Sequence, residues 1–195
     1  ENEEKQDYSE TIKIDGVSVV RTSVSLYENN KRAIDAYGLA LKQQIAYDDV
    51  LTPAEIDGTV AINNRKLSIS YFEGTEDEEK TDYSETFKAN GLDVSRTTVS
   101  IYVGNVRAIN AFGLAMIRQE TFKGPVAANQ IDGTNPITNR RLSISYFVGE
   151  ENEEKQDYTE QLKVDGITVS TTTISFYGTT FERAFDGVGI ALSKQ

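Results

Sequence analysis

The clearest alternation in the chain is Leu67-Ser68-Ile69-Ser70-Tyr71, in which every second side chain is apolar, and Leu142-Ser143-Ile144-Ser145-Tyr146 repeats it letter for letter. A period of two marks a strand with one buried face, so both segments are predicted strands with Leu, Ile and Tyr turned inward. A second alternation, Ile12-Lys13-Ile14 before Asp15-Gly16 and Val17-Ser18-Val19 after it, predicts a hairpin. Its turn reads as a two-residue type I′ turn, because Asp, Asn and Gly best tolerate the positive φ it requires. Asn90-Gly91 and Asp165-Gly166 hold the equivalent places. The apolar parity then reverses at Val24 and Leu26, as at Val99 and Ile101 and at Ile174 and Phe176, which requires a β-bulge or strand break between Val20 and Ser23.

A third pattern has helical spacing. Ala33, Ala36, Tyr37, Ala40 and Leu41 share one face of a predicted amphipathic helix that Arg32 opens, and Arg107 to Met116 and Arg183 to Leu192 repeat it. A cation at the positive pole of a helix calls for a carboxylate partner close by. The residues between each such segment and the next LSISY strand vary most between copies and read as linkers.

These patterns recur because the chain is a tandem array: near-identical acidic stretches begin at Glu1, Glu76 and Glu151, 75 residues apart. The predicted modules are 1–65, 66–140 and 141–195, the first without a preceding LSISY strand. The expected fold class is α+β, each module an antiparallel sheet of hairpin plus one further strand packed on one amphipathic helix. Hairpin and helix occur three times but the LSISY strand twice, so one module is left with an open sheet edge, which invites strand addition.

Composition changes the picture in three ways. A hydrophobic fraction of 38%, a charged fraction of 26% and a mean hydropathy of −0.45 predict a folded chain with a modest core. Modules of this size then share stability with their neighbours. The net charge of −11 argues against a nucleic-acid partner, since phosphate binding rests on Lys and Arg. The absence of Cys and His removes disulfide, thiolate and imidazole chemistry, and no apolar run predicts membrane insertion. The chain opens inside an acidic motif at Glu1, as a processed product or a fragment would.

Catalysis would fall on Asp, Glu, Lys, Tyr or Ser in near-equivalent triplicate, and Asp35 becomes Asn110 in the second copy. The expected class is therefore not an enzyme, and no catalytic or cofactor-binding residue is assigned. The acidic runs offer carboxylates to Ca²⁺ at Glu3, Glu4, Glu78, Glu79, Glu153 and Glu154, without the alternating ligands and turn glycine of an EF-hand loop. The function read from the sequence is a structural repeat protein of a filament, surface, adhesin or virion assembly, extracellular or virion-borne. Its assembly strands carry Leu67, Ile69, Tyr71, Leu142, Ile144 and Tyr146, and its partner is itself or a larger assembly protein. The alternative is a binding module that uses the variable linkers and acidic loops to hold a protein, a glycan or Ca²⁺.

Overall fold

The computed structural model describes residues 4–179, 182–184 and 192–194, divided between two compact units, Glu1–Ser95 and Arg96–Gln195. Unit 1 is an antiparallel meander of β1 (Tyr8–Ile12), β2 (Val19–Tyr27), β3 (Leu41–Asp48), β4 (Lys66–Glu73) and β5 (Lys80–Phe87). The single-turn helix α1 (Pro53–Ile56) lies between β3 and β4. β6 (Val94–Tyr102) begins in the last residues of unit 1 and continues into unit 2. There β7 (Met116–Lys123), β8 (Arg141–Val148), β9 (Lys155–Leu162) and β10 (Val169–Ile174) follow as a second meander, with α2 (Ala128–Ile131) between β7 and β8. β11 (Phe176–Tyr177) pairs with β12 (Leu192–Lys194). The strands β1 to β10 thus stand in chain order as antiparallel sheet.

This corrects the expected fold class: among the described residues the chain is nearly all sheet, and no amphipathic helix packs on it. The segment from Arg32 makes one 3-10 turn, Ala33–Asp35, then a reverse turn closed by Leu39 N–H on Ala36 O (3.0 Å), and enters β3. Its small alanines are the buried part: Ala36 is 0% exposed, whereas Ile34 and Tyr37 are 91% and 80% exposed. Two alanines bury too little apolar surface to hold a ten-residue helix, which is marginal in water on its own. In the second copy Ala108 and Ala111 are buried beside Tyr102, while Ile109 and Phe112 face solvent. Most of the third predicted helix, from Phe185 to Ala191, lies outside the described residues.

β3 and β7 stand where the sequence reads as linker. Each pairs with the parity-reversed end of the hairpin on one side and with an LSISY strand on the other: Val24↔Ile45↔Ile69 in unit 1, Val99↔Glu120↔Ile144 in unit 2. The LSISY strands therefore join the hairpins before and after them. The parity reversal is a bulge at Val20, since Thr11 pairs with Arg21 and Ile12 with Val19; Ser170 is skipped in the same way between β9 and β10.

The hairpin tips also differ from the type I′ turn. Lys13 and Ser18 close the loop (N–H to O, 2.7 Å) and Gly16 donates to Lys13 O (2.9 Å), with positive φ (72°) at Gly16 alone of the Asp-Gly pair. The Asp15 carboxylate then accepts the N–H groups of Val17 (3.0 Å) and Ser18 (2.9 Å) and the Ser18 hydroxyl (2.6 Å). Asn90 and Asp165 accept from the same backbone positions. The side chain satisfies donors that a two-residue turn would have placed in the ladder.

The core of unit 1 lies on one sheet face under the linker. Val24, Leu51 and Ile56 are buried together, with Leu26, Tyr47 and Ile62 against them. The linker ends are held alike in both units: Asn64 Nδ2 donates to the carbonyls of Asp48 (2.8 Å) and Val50 (3.0 Å), and Asn139 Nδ2 to those of Lys123 (3.0 Å) and Pro125 (2.7 Å). Residues that differ most in sequence are thus clamped by the same amide.

Candidate functional site

β1 carries the same residues as β5 and nearly those of β9: Tyr8-Ser9-Glu10-Thr11 against Tyr83-Ser84-Glu85-Thr86 and Tyr158-Thr159-Glu160-Gln161. Its pairing is different. β5 and β9 each take an LSISY strand on the side away from their own hairpin partner, in one register: Tyr71↔Tyr83, Ser70↔Ser84 and Ile69↔Glu85, then Tyr146↔Tyr158, Ser145↔Thr159 and Ile144↔Glu160. Among the described residues β1 pairs with β2 alone.

The interior pairs define what that edge is shaped for. Tyr71 stacks on Tyr83 with ring centroids 4.2 Å apart, and Tyr146 on Tyr158 at 4.3 Å. Their hydroxyls donate to Glu85 (3.2 Å) and Glu160 (3.3 Å). Burial first, and then the adjacent glutamate, push the phenols of Tyr71 and Tyr146 above the ordinary tyrosine range. Ile69 and Ile144 are buried, and Leu67 and Leu142 are half-buried. In β1 the matching side chains have no such cover: Tyr8 is 45% exposed, and Glu10 and Ile12 are exposed. β10 ends the second meander. Among the described residues it pairs with β9 alone and all its residues but Thr173 are exposed, whereas β2 at the equivalent stretch is covered by β3 and buries Thr22 and Val24.

What precedes each of these strands is also fixed. A bulge between Tyr146 and Phe147 skips Asp157, which turns to receive Arg183 through two bonds (2.8 and 2.6 Å). Arg32 pairs with Asp7 (2.9 Å) in the first copy. Arg32 and Arg183, two of the three arginines that the sequence places at helix starts, thus lock the loop onto the strand of the same repeat.

The acidic runs form tight turns. Glu78 N–H donates to Thr75 O and Glu153 N–H to Glu150 O, both at 3.0 Å. Glu79 accepts Leu41 N–H (2.7 Å) and Glu154 accepts Met116 N–H (2.8 Å), so these two carboxylates satisfy the opening amides of β3 and β7. Glu4 is exposed, and Glu3 lies outside the described residues. Among the described residues no three acidic or other ligating side chains gather as a metal would require, and no helix is long and apolar enough to cross a membrane.

Unit 2 holds a feature that the sequence reading missed, a groove of about 540 Å³ between β6, β7, the start of β8 and the linker. Val99, Ile101, Phe122 and Ile137 contribute apolar surface, and Arg107, Arg118, Glu120 and Arg141 are its charged residues. Glu120 accepts Arg118 Nε (2.7 Å) and Arg141 Nη1 (3.2 Å), and Arg118 Nη1 donates to Asn105 Oδ1 (2.6 Å). Comparing copies 75 residues apart would have found it: Arg118, Glu120 and Arg141 replace Gln43, Ile45 and Lys66. Comparison with protein-family models, curated proteins and solved structures finds no match to the chain.

Proposed function

We propose that the chain is a non-enzymatic structural repeat protein that works in an assembly, of the filament, surface, adhesin or virion kind, by adding strands at the open edges of its sheet. The observation that carries this reading is β1: it has the side chains of β5 and β9, yet among the described residues it lacks the LSISY neighbour that both of them take. A strand with one unpaired side presents N–H and C=O groups that another strand can complete. Support also comes from apolar residues exposed at equivalent points of the repeats, Ile14 and Val17, Leu92, and Val164 and Ile167 at the hairpin tips. Recurrent exposure of this sort suits contact between modules better than isolated surface residues do.

The test uses the whole chain and a synthetic peptide of residues 65–73, which spans the first LSISY strand. Mass photometry over a concentration series should show self-association. Hydrogen exchange with the peptide in excess should slow the amides of residues 8–12, and Tyr8→Ala should weaken this protection. A chain that stays monomeric at high concentration and gains no protection in β1 from the peptide would overturn the reading.

A further inference from the structure

We propose that the groove of unit 2 binds a carboxylated sugar, with Arg118 and Arg141 gripping the carboxylate. The reasoning starts from what unit 1 places at the same points. There Ile45 lies between Val24 and Ile69 in the register, flanked by Gln43 on its own strand and by Lys66, the residue that pairs with Tyr47. That arrangement closes an apolar core under the linker. Unit 2 puts Glu120 between Val99 and Ile144 instead, and changes both flanking residues to arginine.

A carboxylate set among Val and Ile needs a cationic partner, and one arginine would supply it. Two are present. Glu120 takes one bond from each, which leaves Arg118 Nη2 and Arg141 Nε and Nη2 without a partner among the described residues. Arg118 and Arg141 thus set two guanidiniums against the single carboxylate of Glu120, in a chain whose net charge is −11. The local excess is therefore opposite in sign to the molecule as a whole and selects an anion.

Shape and chemistry narrow the anion. A guanidinium presents donors in a planar fork that fits a carboxylate, which a lysine ammonium does not. The apolar wall of Val99, Ile101, Phe122 and Ile137 suits the C–H face of a pyranose ring, and the amides of Asn105 and Asn135 at the rim suit its hydroxyls. The volume of about 540 Å³ falls within the range of roughly 300–1,000 Å³ usual for small-molecule sites, and accommodates a ligand of disaccharide size.

The test is isothermal titration of the full chain with digalacturonate and with its methyl ester, which keeps the rings and removes the charge. Digalacturonate should bind and the ester should bind at least tenfold more weakly. The triple variant Arg118→Gln, Glu120→Ile, Arg141→Lys copies the set that unit 1 already carries, so it should fold with an unchanged circular dichroism spectrum and lose at least tenfold in affinity. Should that variant misfold, Arg141→Lys alone keeps the charge but removes the fork, and is also expected to weaken binding. Equal binding of acid and ester, no binding of the acid at millimolar concentration, or wild-type affinity in the folded variants would each overturn the proposal.

Discussion

Replacing Gly74 or Gly149 with alanine should be among the most damaging single changes in the chain. Gly74 follows β4 and begins the acidic turn into β5, with φ at +128°; Gly149 does the same after β8, with φ at +136°. A Cβ on Gly74 would lie 2.5 Å from the carbonyl oxygen of Glu78 and 3.2 Å from the Cα of Glu79, and one on Gly149 2.6 Å from the Glu153 oxygen. These neighbours are backbone, so relief requires the turn itself to move. Two costs combine: about 1–2 kcal/mol for an L-residue held at positive φ, and about 1–3 kcal/mol for forcing an atom into occupied space. Their sum, roughly 3 kcal/mol, corresponds to a fall in Tm of about 12–24 °C for a unit of this size. Gly58→Ala is the control, since Gly58 has φ at +81° but open space within 4 Å and should show the backbone cost alone. Calorimetry of the three variants gives the comparison, with hydrogen exchange to locate the loss at the Glu73↔Lys80 and Phe72↔Thr81 pairs. If Gly74→Ala and Gly58→Ala unfold at the same temperature, the acidic turn is not the rigid joint that sets the LSISY register.

Two further outcomes are expected. Thr52 caps α1 by accepting Glu55 N–H (3.3 Å), and Glu55 returns a carboxylate to Thr52 N–H (2.9 Å), whereas Ala127 stands at the cap of α2. Thr52→Ala should lose about 1 kcal/mol and Ala127→Thr should gain a smaller amount, read by urea denaturation; a stabilising Thr52→Ala would refute the cap. The Thr168 hydroxyl, followed by the N–H groups of Ile167 and Thr168, holds the Asp165 carboxyl down to about 2. Because the folded value lies below that of an unfolded aspartate, about 3.9, its contribution is complete above that pH and disappears as pH falls toward 2. Carboxyl NMR titration should give the low midpoint in the native chain and a higher one in Thr168→Val; an ordinary midpoint in the native chain would contradict the turn geometry.

Much of the sheet could be read from the residues, and its failures have one cause. The LSISY strands and the hairpins declare themselves because their apolar positions alternate without interruption. β3 and β7 do not, because the row under the linker reads Leu41, Gln43, Ile45, Tyr47 in one copy and Met116, Arg118, Glu120, Phe122 in the other. Polar residues on the covered row erase the period of two that marks a strand, and the same residues build the groove. The segment before β3 misleads in the opposite sense. Ala33, Ala36, Tyr37, Ala40 and Leu41 satisfy a helical wheel, but the buried members, Ala36 and Ala40, are alanines, and a face of small side chains fixes no helix. That the first repeat has no preceding LSISY strand was legible as a count of elements; that β1 and β10 each pair on one side alone among the described residues required the pairing.

Because every strand of the meander pairs with its neighbours in sequence, little of the fold waits for distant parts of the chain to meet. Such local topology suits vectorial folding during synthesis, each hairpin closing soon after it emerges. It also suits evolution by block duplication or deletion: inserting another 75-residue copy adds four strands and changes partners only at the junction. Length in an array of this kind is therefore a variable that recombination can adjust while each local pairing solution is left intact.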